Sequence, residues 1–387
     1  MTTEKERAVL LEQVRDLIPA EVRMISGCQD SQTSADVSNV ASFSLPDPAG
    51  RAGGACTSAL LKILYADHEA TRDIKSFQQV LMEMRTLLNG GGGTAKYTQI
   101  PQLTSSRPLD VNHPFELVPA DCPGTKRALL IGINYVGHKQ GQLSGCHNDV
   151  LNMKEYIIKV WNFEEENITV LLDDGEHTEP TKENILAAYE KLVSESQEGD
   201  AAFCHYSGHG GKLKDDDNDE KDGYDETLVP VDYMTCGQIR DDDLFRTLIS
   251  PMASGVTLTC IMDCCHSGTV LDLPFQFKAD GESDQMQVSS TFDVQGLLGL
   301  AAAALVGGDL SLSKVMALVG QFVQGKSEQD LVAVCSTILK YGSQLLGMNQ
   351  GRATSDAQIT SISTMVVKFL KTFLGSTFFK KEAAKED

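Results

Sequence analysis

Residues 203–211, FCHYSGHGG, and 259–268, TCIMDCCHSG, decide the fold. Each begins as a short apolar run suited to a buried strand and breaks at its carboxyl end into small and reactive residues. In open α/β sheets, sites gather beyond the carboxyl ends of the strands. If the two strands are neighbours, a histidine and a cysteine reach one crevice, as a thiolate beside an imidazole base requires. On residues alone, the histidine candidates are His205, His209 and His266, and the cysteine candidates are Cys264 and Cys265. His205 falls within its strand, where a packed core role is the simpler reading. His209 follows the strand between glycines that let the backbone turn. Cys264 and Cys265 point to opposite sides of a continuing strand, so one of them faces the crevice. Gly210 and Gly268 leave room for a substrate, and their region offers N–H donors to an oxyanion.

Outward from these stretches, strand and helix signals alternate. Strands are expected at 22–26, 128–134, 169–172, 201–207 and 255–262. Helices are expected at 59–64, 77–88 and 150–161, where Val150, Met153, Ile157 and Trp161 share a face. Another starts at Thr181 as N-cap and carries Ile185, Tyr189 and Leu192. Alternation of this kind predicts an α/β fold: a mostly parallel central sheet with helices on both faces. Three regions follow. Residues 1–124 contribute strands to that sheet, 125–284 form the large catalytic part, and 285–387 read as helical with a charged tail. The glycine run 90–93 reads as a flexible link.

Composition narrows the function. The 387 residues carry a net charge of −21 and no basic patch, which argues against nucleic acid. The first residues lack the apolar core of a secretory signal, and no apolar stretch is long enough for a bilayer. Ten cysteines without metal-type CxxC pairs suit free thiols in a reducing, cytoplasmic compartment.

The motifs SGHG at 207–210 and DCCHSG at 263–268 resemble those of the metacaspases, caspase-like cysteine peptidases. So do GINYVGHKQGQLSGCHND at 132–149, DETLVPVD at 225–232, IRDDDL at 239–244 and LDLP at 271–274. The resemblance implies a caspase-like fold, Cys265 as nucleophile and His209 as general base. It implies cleavage of protein or peptide substrates after Arg or Lys, in a pocket lined by Cys146, Asp149, Ser207 and Asp263. It also implies a calcium site at Asp225, Asp241, Asp242 and Asp272, and a monomeric enzyme. The acidic run 215–222, DDDNDEKD, reads as a solvated loop and lacks the spacing of an EF-hand. Upstream, ISGCQDSQTSAD at 25–36 and GGACTSALLKIL at 53–64 resemble the small-subunit part of the family. Here that part precedes the large one, the order of type III metacaspases. A cleavable linker running from large to small part is then not expected.

Cys204 precedes His209 by five residues, and Cys260 precedes Cys265 by five. If their strands are adjacent and parallel, the two thiols stand at one height, within reach of a reversible regulatory disulfide.

Overall fold

The computed structural model describes residues 11, 14–15, 17–27, 36–37, 53–65, 74–88, 100–138, 141–214, 224–264, 270–281 and 283–289. Contacts divide the chain into two compact units: Met1–Asp215 with Glu220–Phe292, and Asp216–Asp219 with Asp293–Asp387. The second unit lies outside the described residues. So do the glycine run 90–93 and the acidic run 215–222, apart from its part in that unit's bounds.

In chain order the strands are β1 (Glu21–Ser26), β2 (Asp36–Val37), β3 (Gly53–Gly54), β4 (Gln102–Ser105), β5 (Lys126–Gly132), β6 (Ile168–Leu172) and β7 (Ala201–Ser207). They continue with β8 (Gly210–Lys214), β9 (Tyr224–Leu228), β10 (Ile239–Arg240), β11 (Thr257–Asp263), β12 (Phe275–Lys278) and β13 (Gln287–Val288). Eight form one sheet, in the order β13-β12-β4-β1-β11-β7-β5-β6. The five strands from β1 to β6 in that order run parallel; β4, β12 and β13 add antiparallel pairings at one end. β1, from the N-terminal region, lies beside β11, so sheet neighbours are far apart in sequence. The expected helical region starting at 285 needs correction at its first residues, because Gln287–Val288 pair with Phe275–Gln276 as an edge strand.

Helices α1 (Ala55–Leu64), α2 (Phe77–Leu88) and α3 (Cys146–Trp161) cover one face; α4 (Lys182–Glu195) covers the other. Strand alternation sorts the side chains between them. Ala128, Leu130, Phe203 and Ile261 join the core under α1, α2 and α3, with Val150, Met153 and Ile157 from α3. Cys204 and Cys260 point the other way, toward Tyr189 of α4. The expected helical faces are present: Ile185, Tyr189 and Leu192 are buried, and the Thr181 hydroxyl accepts the Asn184 N–H. No helix among the described residues is long and apolar enough to cross a membrane.

The winding fixes where a site belongs. From β5 the chain crosses by α3 to the edge strand β6, then returns by α4 past β5 to β7. The helices lie on opposite faces because each crossover is right-handed. The connections after β5 and after β7 therefore diverge, leaving a crevice at the carboxyl ends of these neighbours.

Candidate active site

His209 stands at that crevice, two residues beyond β7. Its imidazole Nε2–H donates to the Gly141 carbonyl at 2.6 Å. A carbonyl only accepts, so Nε2 carries a proton in this bond, and in the neutral ring the lone pair is on Nδ1. The ring lies against Tyr135, with centroids 4.7 Å apart and planes at 33°. The backbone is held as firmly: the His209 N–H donates to Tyr135 Oη at 2.9 Å, and its carbonyl accepts Tyr206 Oη–H at 2.8 Å. Gly208 makes the second contact possible. A Cβ there would come within 2.8 Å of the Tyr206 hydroxyl, so any larger residue would push the phenol off the His209 carbonyl.

The expected pocket residues come together at the same sheet end. Ser207 and Asp263 are register partners on β7 and β11, and both face α1 and α3. Ser207 Oγ–H donates to Asp149 Oδ2 at 2.6 Å, and Asp263 Oδ2 accepts the Thr57 N–H at 2.8 Å. Cys146 and Asp149 both lie in the first turn of α3, where a carboxylate gains from the helix dipole. All four are buried: Cys146, Asp149, Ser207 and Asp263. Thr57, in the first turn of α1, was not foreseen. Besides its bond to Asp263, its hydroxyl shares a 3.0 Å hydrogen bond with His205 Nε2 in the core beneath. His205 is 1% exposed and its pKa is pushed down to about 3 by burial, so it is a neutral core histidine.

The loop after β5 is braced by groups that carry no sequence signature. Asp173 at the end of β6 accepts the N–H groups of Asn134 and Val136 at 2.8 Å each, and His147 Nε2–H at 2.6 Å. Burial alone would raise Asp173, but these three donors outweigh it and hold the carboxyl below its ordinary range. Asn134 continues the brace: Oδ1 accepts the Cys146 N–H, and its carbonyl accepts the Leu143 N–H. The Gly141 carbonyl that fixes His209 belongs to this braced loop.

Asp225 lies on β9, and Asp241 and Asp242 open the helical turn Asp241–Leu244. Asp241 accepts the N–H groups of Glu226 and Asp242, which ties the turn to β9. Guanidinium groups meet the other two: Arg240 pairs with Asp225, and Arg246 with Asp242 at 2.7 Å. Asp272 is half-buried with a left-handed φ of 46°. The oxygen donor chemistry suits a hard cation. Among the described residues, however, no three acidic, histidine or cysteine side chains converge as a ready-made metal cage.

Cys204 and Cys260 are register partners, both buried and both free thiols. Burial, and then the hydrogen bond with Cys204, raises the Cys260 thiol, so it stays protonated. Cys264 is buried on the α4 side, near Tyr189 and Tyr206, away from the Ser207–Asp263 face. Of the two adjacent cysteines this leaves Cys265, which lies two residues beyond β11 and outside the described residues.

A parallel sheet with histidine at its switch point and cysteine following the neighbouring strand is the plan of caspase-class cysteine peptidases. Comparison with known proteins agrees. Residues 10–112 match the caspase domain, and residues 126–274 match the metacaspase, peptidase C14 domain. "Metacaspase III c" of Phaeodactylum tricornutum is 61% identical over 285 residues, 73% of this chain and 83% of that protein. "Metacaspase-1B" of Neurospora crassa is 39% identical over 64% of this chain and 53% of its own length. "Metacaspase-1" of Sclerotinia sclerotiorum is 45% identical over 48% and 43% respectively. The chain thus spans about half the length of these fungal relatives. The chain belongs to the metacaspase family of cysteine peptidases.

Proposed function

We propose that this peptidase cleaves protein substrates after Arg or Lys, with Cys265 as nucleophile and His209 as general base, under calcium control. The observation that carries the reading is the 2.6 Å bond from His209 Nε2–H to Gly141, which reserves Nδ1 for a proton. Nδ1 takes the thiol proton of Cys265, and the thiolate sulfur attacks the scissile carbonyl carbon. The C–N bond breaks as the same nitrogen returns the proton to the leaving amine. Water, deprotonated by His209, then hydrolyses the thioester and releases the acid and the thiol. Gly210 supports oxyanion binding. The His209–Val229 pair exchanges a backbone bond, and alternation along β8 and β9 turns the Gly210 N–H away from β9. Asp149 and Asp263 supply the negative charge that a guanidinium or ammonium needs when it leaves water.

A calcium ion would be held by Asp225, Asp241, Asp242 and Asp272. When bound, it supplies the charge that ties these separate segments together. Support comes from the donor set and from the cations already drawn to it. Binding has to release Arg240 from Asp225 and Arg246 from Asp242, so Arg240→Ala is expected to tighten calcium binding to the Cys265→Ala protein by calorimetry.

The deciding experiment is hydrolysis of a short Arg-ended peptide, with calcium or chelator, by wild type and Cys265→Ala. Turnover by wild type in calcium alone is expected. Turnover by Cys265→Ala would overturn the nucleophile, and equal rates in chelator would overturn calcium control.

A further inference from the structure

We infer that Tyr135 is a positioning residue for the base, wedged between the His209 backbone and the strand that carries Asp225. The inference rests on His209 acting as base.

β8 and β9 pair antiparallel with Gly210 opposite Leu228, so the next step of the ladder sets His209 opposite Val229. A regular ladder would exchange two direct backbone bonds at such a pair. Only one is direct: the Val229 N–H donates to the His209 carbonyl at 3.2 Å. The other is routed through a phenol. The His209 N–H donates to Tyr135 Oη, and Tyr135 Oη–H donates to the Val229 carbonyl at 2.7 Å. The hydroxyl replaces one rung and holds the two backbones apart at this end. The ring of the same residue packs on the imidazole. Tyr135 thus fixes both the main chain and the plane of His209.

Two further facts fit a constrained role. Tyr135 has a φ of 54°, a region that costs a non-glycine, bulky residue energy and persists where the surroundings impose it. It is 1% exposed, and burial pushes its phenol far above the ordinary tyrosine range, so the hydroxyl stays protonated and able to donate. Tyr206 Oη–H reaches both the His209 carbonyl and, at 3.2 Å, the Val229 carbonyl. Both contacts are with carbonyls, so Tyr206 does not replace the Tyr135 hydroxyl as acceptor of the His209 N–H. Val229 directly follows β9, so this hydroxyl is one of the links between His209 and the strand that carries Asp225.

The test compares wild type, Tyr135→Phe, Tyr135→Leu and His209→Ala on an Arg-ended peptide in calcium. It adds the ¹⁵N shifts of the His209 ring in a Cys265→Ala background. Tyr135→Phe keeps the ring and loses the inserted rung. It is expected to lower kcat about tenfold with KM within twofold, and to turn the single Nε2–H tautomer into a mixture. Tyr135→Leu is expected to lose more. A Tyr135→Phe protein with kcat within twofold of wild type overturns the inference, as does a loss carried by KM alone. If Tyr135→Leu fails to fold, Tyr135→Phe and the ring shifts still decide; an unchanged tautomer in Tyr135→Phe counts against it. Retained activity in His209→Ala would instead overturn the base assignment on which the inference rests.

Discussion

Acid is expected to destabilise this protein through one buried imidazole. His205 is enclosed between β11, β5 and α1, its Nε2 bonded to the Thr57 hydroxyl and its Nδ1 without a hydrogen-bond partner. Burial brings its pKa down to about 3, from 6.5 for a free histidine. Between those values the unfolded chain binds a proton that the folded chain refuses. Stability is therefore fully present above about pH 6.5 and falls as pH drops toward 3. At about 1.4 kcal/mol per pH unit, the ceiling is about 5 kcal/mol; at pH 5 the loss is about 2 kcal/mol. That is a large share of the 5–15 kcal/mol typical of a folded domain. The perturbation is His205→Gln, which keeps a hydrogen-bonding group near the Nε2 position and removes the titration. Urea unfolding at pH 7.5 and pH 5 would be compared in a Cys265→Ala background, so that unfolded chain is not digested. Other titrating groups are common to both proteins and cancel. The wild-type background should lose about 2 kcal/mol more than the variant over this interval. Equal losses would show that His205 is charged or solvated in the folded protein, and would refute the reasoning.

Three other outcomes are expected. Asp149→Ala should cut kcat/KM for an Arg-ended peptide by at least about 100-fold, as expected for a buried charge partner; full retention would remove Asp149 from the pocket. Asp173→Ala should free the loop that presents the Gly141 carbonyl, lowering kcat about tenfold and costing about 1–3 kcal/mol through unpaired N–H groups. Because the Asp173 carboxyl is held low, its contribution is present above the ordinary aspartate range and fades as pH falls through the folded value; a pH series of melting temperatures checks this. Mild oxidation should join Cys204 to Cys260, removing two titratable thiols in wild type but not in Cys204→Ala, and should change activity in wild type only. No activity change in either protein would leave the pair as two packed thiols.

Much of the framework was legible because it depends on local pattern. The apolar run of β7 and the helical spacing of Ile185, Tyr189 and Leu192 each report one element's burial. Counting back five residues from His209 and from Cys265 predicted the Cys204–Cys260 register because parallel strands keep a constant offset. Long-range contacts were not legible in this way. Thr57 meets Asp263 across 206 residues, through a backbone N–H that every non-proline residue carries. Asp173 resembles any strand-end aspartate until the loop folds back onto it. The edge strand β13 is two residues long, too short to show a period, and so its segment was read as part of the helical region. Tyr135 carries no signal of its own in the sequence, because its burial and its bonds to His209 and Val229 depend on the loop folding back against β9.

The pairing of an N-terminal strand with β11 has a physical consequence. β11 has β7 on one side and β1 on the other, and β1 arrives from the far end of the sequence. Without the N-terminal region, β11 would present an open parallel edge, a row of unpaired backbone groups that favours association with other chains. Its carboxyl end would also lose the Thr57 N–H from Asp263, leaving that buried carboxylate short of a donor at the proposed substrate pocket. The same helix turn covers His205. Burial of the pocket carboxylate, neutrality of the core histidine and closure of the sheet therefore arrive together, when α1 and β1 dock on the large part. In this arrangement residues 126–274 alone do not complete the proposed catalytic crevice, because Thr57 and β1 come from outside them.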